Sequence, residues 1–208
     1  MRFATIDIGT NSMRLLLSEY EDNKFKLRKK IINTTRMGQG IDSNGFIIEE
    51  VLNRNLAALK NFKEEAEKFG ADKIRCIGTA ALRNASNKKE FVDKARKLGV
   101  EVEIIQGKEE ARLGYIGVIG GIEIEGLALI LDIGGGSTEF ILGDNKEIYY
   151  RKSVDIGALR LTERFVEKTP ETDEVVLKIE DCIKKELGET IEEIKKKIKD
   201  NSRRGRDT

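Results

Sequence analysis

Asp7-Ile8-Gly9-Thr10-Asn11-Ser12 and Asp132-Ile133-Gly134-Gly135-Gly136-Ser137 are two versions of one phrase, an apolar run that stops at Asp-Ile-Gly and a small polar turn. Around the first, Phe3 to Ile8 reads as a buried strand. Met13 to Tyr20 and Phe25 to Asn33 read as two more, joined at the turn-forming Glu21-Asp22-Asn23-Lys24. Around the second, strands are expected over Leu127 to Ile133, Thr138 to Leu142 and Ile148 to Val154, with Gly143-Asp144-Asn145-Lys146 at the turn. Asp-Asn-Lys recurs at 22–24 and 144–146, and its distance from Asp-Ile-Gly differs by only three residues between the copies. Two matching strand–turn–strand–turn–strand units imply an internal duplication.

Between the copies the apolar period changes from two to about 3.6. Val51, Leu52, Leu56, Leu59, Phe62, Ala66 and Phe69 predict an amphipathic helix over Glu49 to Phe69, ended by Gly70. Lys73 to Gly78 then reads as a strand, Lys88 to Leu98 as a helix, Val100 to Ile105 as a strand and Glu109 to Val118 as a helix broken by Gly120-Gly121. After the second triplet come helical segments, Ala158 to Lys168 and Glu174 to about Lys199. Strand triplets followed by alternating helices and strands predict α/β layers with mixed sheets. The domains are expected at 1–121 and 122–200, the second cut short because it lacks the later strands of the first, with a frayed polar tail at 201–208.

Composition removes several chemistries. The 208 residues contain no histidine, so imidazole bases, His triads and His-ligated zinc are excluded. Any metal must be a hard cation held by carboxylates and phosphate oxygens. Lys and Arg total 38 against 37 Asp and Glu, a balance that argues against a general nucleic-acid or membrane coat. Cys76 and Cys182 read as free thiols packed as small hydrophobes. Asp7 comes too early for a signal peptide and no apolar run reaches the roughly 18 residues of a span, so a cytoplasmic protein is expected.

Ligands in α/β folds gather at the carboxyl ends of strands, where both Asp-Ile-Gly turns fall. Glycine lets the backbone come close to an anion, and the N–H groups of Gly9, Thr10, Asn11 and Ser12, and of Gly134, Gly135, Gly136 and Ser137, can form concave nests. Thr10, Ser12, Ser137 and Thr138 add hydroxyl donors. Asp7 and Asp132 would repel phosphate directly, but fit if Mg²⁺ lies between carboxylate and phosphate. The plainer alternative is that Asp-Ile-Gly only ends a strand. Glu109 and Glu110, at a helix start, are either dipole complements on a solvated face or a base that deprotonates water without histidine. Arg83, just past a strand end, is either a surface arginine or a planar fork for a phosphate oxygen.

Five segments in order resemble the exopolyphosphatase/guanosine pentaphosphate phosphohydrolase family, a branch of the acetate kinase–actin–Hsp70 superfamily. They are Ile6 to Ser12, Arg36-Met37-Gly38-Gln39-Gly40, Gly78-Thr79-Ala80-Ala81-Leu82-Arg83, Gly107-Lys108-Glu109-Glu110-Ala111-Arg112-Leu113, and Asp132 to Glu139; the resemblance runs from residue 3 to at least 165. It implies duplicated actin-like (ribonuclease H-like) domains facing each other across a cleft that binds polyphosphate or guanosine pentaphosphate. By similarity Glu110 is the catalytic base, with Glu109 its less favoured neighbour, and Arg83 grips the phosphate chain. Asp132 and Glu139 resemble magnesium-site carboxylates, with Asp7 facing them. Asn11, Ser12, Gly134, Gly135 and Ser137 would hold the terminal phosphoryl group.

The family's second domain continues with a further strand and a Gly-Thr-rich turn that have no counterpart here, so a shortened second domain is expected, one that a second copy of the chain could cover as a homodimer. The leading expectation is a Mg²⁺-dependent hydrolase releasing terminal orthophosphate. Two others stand beside it: a phosphotransferase between polyphosphate and a nucleotide, and a phosphate- or alarmone-binding module or inactive fragment without turnover. No nucleic-acid or membrane partner is expected.

Overall fold

The computed structural model describes residues 1–122, 124–167 and 172–204, and divides into two compact units, Met1–Gln106 and Gly107–Thr208. In the first, β1 (Arg2–Ile8), β2 (Met13–Glu21) and β3 (Lys24–Asn33) form an antiparallel meander. Asp22 and Asn23, with φ of 50° and 59°, make the two-residue turn between β2 and β3, which matches the twist of a hairpin. A short helix α1 (Ile41–Asn44) precedes α2 (Glu49–Phe69), which ends where Gly70 turns left-handed at φ 71° and caps Ala66 and Glu67. Then follow β4 (Lys73–Gly78), α3 (Ala80–Asn84), α4 (Lys88–Lys97) and β5 (Val102–Ile104). The sheet order is β3-β2-β1-β4-β5, antiparallel on one side of β1 and parallel on the other. Ile6, Ile8, Met13 and Leu15 on the sheet and Leu52, Leu59 and Phe62 on α2 belong to one buried cluster.

The second unit begins with α5 (Gly107–Ile119), which packs on the antiparallel sheet of β6 (Ala128–Ile133), β7 (Thr138–Gly143) and β8 (Ile148–Val154). Ala111, Tyr115 and Ile141 form its small core. The sequence boundary after Gly121 assigned this helix to the first domain; its apolar face, buried against the second sheet, puts the division at Gln106/Gly107 instead. Helices α6 (Ala158–Phe165) and α7 (Asp173–Arg204) complete the unit. The expected helix to Lys168 stops at Phe165, and Lys168 itself lies outside the described residues. The last helix continues beyond Lys199 to Arg204, so 201–204 are helical rather than a tail, and 205–208 are outside the described residues.

The duplication is therefore structural, and the architecture is actin-like. It is also unequal. The second sheet has three strands, all antiparallel, where the first has five and is mixed. The three-residue offset between the copies is the extra length of β2, nine residues against six in β7. The Asp-Asn-Lys repeats are not conformational equivalents: the Asp144 carboxylate caps its own turn, accepting from the N–H groups of Lys146 and Glu147 at 2.8 and 3.0 Å.

Counterpart strands also differ in burial. With Asp7 aligned on Asp132, the buried Ala4, Ile6 and Ile8 correspond to Leu129, Leu131 and Ile133, which are 45%, 50% and 69% exposed. Alternation puts these three on one face of β6, while Phe140 and Leu142 on the same face of β7 are buried. Among the described residues no helix is long and apolar enough to cross a membrane.

Candidate functional site

The turns that follow Asp7 and Asp132 are closed by the same bond. The Gly9 N–H donates to the Ser12 carbonyl at 3.1 Å, and the Gly134 N–H to the Ser137 carbonyl at 2.9 Å. The expectation that Gly9 and Gly134 lend their N–H groups to an anion is thereby corrected, because both are spent inside the turn. No hydrogen bond among the described residues takes the N–H groups of Thr10, Asn11 and Ser12, or of Gly135, Gly136 and Ser137. Successive unpaired N–H groups at a strand end are the donors that an anion nest would use.

A second loop locks each turn from behind. In the first unit Gly38 donates to the Thr10 carbonyl and Arg36 to the Asn11 carbonyl, both at 2.8 Å. In the second, Ala158 and Arg160 donate to the carbonyls of Gly134 and Gly135, both at 3.0 Å. Glycine makes the approach close enough. A Cβ on Gly157 would lie 2.4 Å from the Gly135 carbonyl carbon and 2.5 Å from its oxygen and from the Gly136 nitrogen. All three are backbone atoms and have no rotamer to yield. Gly157→Ala is therefore expected to cost about 1–3 kcal/mol and to weaken anion binding, whereas Gly188→Ala in α7, where an added Cβ meets nothing within 4 Å, should leave stability equal or higher. Thermal melts and titration with tripolyphosphate check both; equal melting temperatures for the two variants would refute the close-packed lock. Gly157 belongs to a third Asp-Ile-Gly, Asp155-Ile156-Gly157, which is a locking loop and not a nest.

In the first unit Asp7 is the cross-strand partner of Arg14, whose Nη1 stands 3.4 Å from its Oδ2. Thr79 bonds to the Ile8 carbonyl through both its N–H (3.2 Å) and its hydroxyl (3.3 Å). Arg83 lies one turn further along α3, and its Nη1 donates to the Ile105 carbonyl at 3.1 Å. The first nest, Asp7 and the Arg83 helix thus meet at the carboxyl ends of β1 and β4. Cys76, beneath them on β4, is buried and its thiol is pushed up to about 12, chiefly by burial and further by Asp7, so it is inert packing.

In the second unit Asp132 and Glu139 are direct cross-strand partners and share a face. Asp132 is exposed; Glu139 is 2% exposed. The Glu139 Oε1 accepts from the Ser137 hydroxyl at 2.8 Å and the Ser153 hydroxyl at 2.7 Å. Glu109 is held by the Arg112 fork at 2.8 and 2.7 Å. Along α5, Tyr115 bonds the Asp144 carbonyl and touches Gly143, while Ala111 sits one turn earlier in the cluster with Ile141. Glu110 lies in the first turn of this helix, which packs on β7 and β8. Ser153 was not among the sequence candidates, since only the β7–β8 register puts it beside Glu139; Arg14 could have been found by pairing residues outward from the first turn.

The model of the Ppx/GppA phosphatase family matches residues 16–206 of this chain. The chain belongs to that family. It is 35% identical over 206 residues to a bifunctional 3-dehydroquinate synthase/phosphatase of Fusobacterium nucleatum, covering 93% of this chain and 31% of that protein. It is 35% identical over 164 residues to a guanosine-5'-triphosphate,3'-diphosphate pyrophosphatase of Vibrio vulnificus, covering 78% and 33% respectively. An exopolyphosphatase from Cytophaga hutchinsonii superposes with a TM-score of 0.87 at 32% identity, over 94% of this chain and 64% of that one. The Ppx/GppA enzyme of Aquifex aeolicus gives a TM-score of 0.74 at 32% identity, over 91% and 64%. This Ppx/GppA chain spans about a third of the length of these curated relatives and under two thirds of these solved chains. Ethanolamine utilization protein EutJ of Carboxydothermus hydrogenoformans, at 15% identity and TM-score 0.51, shares the fold.

Proposed function

We propose that this Ppx/GppA chain carries the phosphate-binding and water-activating residues of a hydrolase that releases terminal orthophosphate from polyphosphate or guanosine pentaphosphate. The observation that carries the reading is the pair of nests, each with three consecutive N–H groups left for an anion while its carbonyls are tied to a locking loop. The printed names of the relatives, a guanosine-5'-triphosphate,3'-diphosphate pyrophosphatase and an exopolyphosphatase, support this substrate class.

Phosphoryl transfer is dominated by positioning and charge neutralisation. In the first unit the N–H groups of Thr10, Asn11 and Ser12 and the Ser12 hydroxyl bind phosphoryl oxygens, with Arg83 gripping a neighbouring one; in the second the N–H groups of Gly135, Gly136 and Ser137 do so, while the Ser137 hydroxyl is given to Glu139. Glu110 takes a proton from water as the new P–O bond forms and the anhydride P–O bond breaks, with the electron pair leaving on the shortened chain. Mg²⁺ suits the donor set: Asp132 and Glu139 supply only hard oxygen, and the two serine hydroxyls hold Glu139 in one orientation. Among the described residues no three His, Cys, Asp or Glu groups form a ready cage, so substrate oxygens and water would complete the coordination, and Asp7 would serve in the same capacity at the first nest. When bound, the ion neutralises phosphate charge.

Orthophosphate release should be seen with Mg²⁺ on long-chain polyphosphate, on guanosine pentaphosphate or on both, and should fall when the metal is chelated. Saturable binding of both without release, or transfer of phosphate to ADP in place of water, would overturn the hydrolase reading.

A further inference from the structure

Among the described residues, three other than glycine have a left-handed backbone: Asp22, Asn23 and Arg36. The first two lie at the tip of a hairpin, where Asp and Asn are ordinary. Arg36, with φ 47°, is different. A side chain with a Cβ is disfavoured there and glycine would be free of strain, so strain kept at such a position points to what the side chain does. The surroundings of Arg36 hold it firmly. Its N–H donates to the Asn11 carbonyl at 2.8 Å, inside the first nest, and Gly38 two residues on is bonded to Thr10. Arg54 clamps the same loop from both sides, donating to the Thr35 carbonyl at 2.8 Å and to the Gln39 side chain at 2.7 Å. The loop is tied down on both sides of Arg36, but its guanidinium is exposed and, among the described residues, makes no hydrogen bond or ion pair.

We infer that Arg36 is an anion-binding residue of the first nest, its guanidinium gripping phosphoryl oxygens of a ligand whose terminal group the N–H groups of Thr10, Asn11 and Ser12 receive. This rests on the reading of that turn as a phosphate nest. A planar fork on a strained, rigid loop binds oxyanions with little ordering cost, because the backbone is already fixed.

Arg36→Gly separates the two roles the residue could have, since it removes the guanidinium and relieves the strain together. Calorimetric titration with magnesium tripolyphosphate, beside thermal melts, should show binding weakened about tenfold or more with an equal or higher melting temperature, and Arg36→Lys should fall between Arg36→Gly and the parent chain. Equal affinity in Arg36→Gly and the parent would overturn this inference and leave the nest standing. Weaker binding with a lower melting temperature would make Arg36 structural and also overturn it. If the parent chain does not bind tripolyphosphate, the nest reading fails and takes this one with it.

Discussion

Glu110→Gln is expected to lower orthophosphate release by about two to four orders of magnitude, the usual contribution of a general base, while tripolyphosphate binds within a few-fold of the parent. The substitution keeps shape and hydrogen-bonding capacity but removes the only function asked of the group, acceptance of a proton from water. With no histidine in the chain, a carboxylate is the natural base at neutral pH. Two acids stand together at the start of α5, and Arg112 engages the first of them. Glu109 is gripped by both arms of Arg112 at 2.8 and 2.7 Å, so its charge is already neutralised by a partner three residues along its own helix. Glu109→Gln should therefore lower turnover by less than about tenfold, the scale of an exposed ion pair. Single-turnover release assays on the two variants decide the assignment. Unchanged turnover in Glu110→Gln, or a larger loss in Glu109→Gln, would remove Glu110 from its role.

The second large effect is a contrast between two equivalent positions. Ile6→Ala should destabilise the first unit by about 2–5 kcal/mol, because it empties a fully enclosed site between β1 and α2. Leu131→Ala, at the matching place in the second repeat, should cost less than about 1 kcal/mol, because the leucine is 50% exposed and loses little burial. A more hydrophilic change there, Leu131→Thr, should cost no more and should reduce self-association, since an exposed apolar stripe beside an open sheet edge favours pairing with another chain. Urea unfolding and sedimentation measure these outcomes. A loss at Leu131 as large as at Ile6 would mean that the stripe is covered in solution.

The elements legible in the sequence were those whose signal is local. The helix over Glu49–Phe69 and the strand over Ile148–Val154 have the bounds expected of them, because a sustained apolar period ends at glycine in one and the repeat frames the other. The short helices α1 and α3 were not anticipated, since four or five residues contain too little period to read. Among the site residues, the two turns could be found by their repetition. Their finer chemistry could not: Gly9 and Gly134 close the turns with their own N–H groups, and that depends on backbone geometry rather than on residue type.

The sequence alone determined that the chain is a duplicated α/β protein with repeated strand-end turns and no imidazole chemistry, because repetition, hydrophobic period and the lack of histidine are properties of order and composition. Tertiary structure decided which groups meet. It moved α5 to the second sheet, put Ser153 beside Glu139, tied Arg36 to the first nest, and buried Ile6 while leaving Leu131 exposed. The physical reason is the same in each case: strand register and helix packing bring together residues far apart in the chain, and burial depends on what lies across from a side chain as much as on the side chain itself.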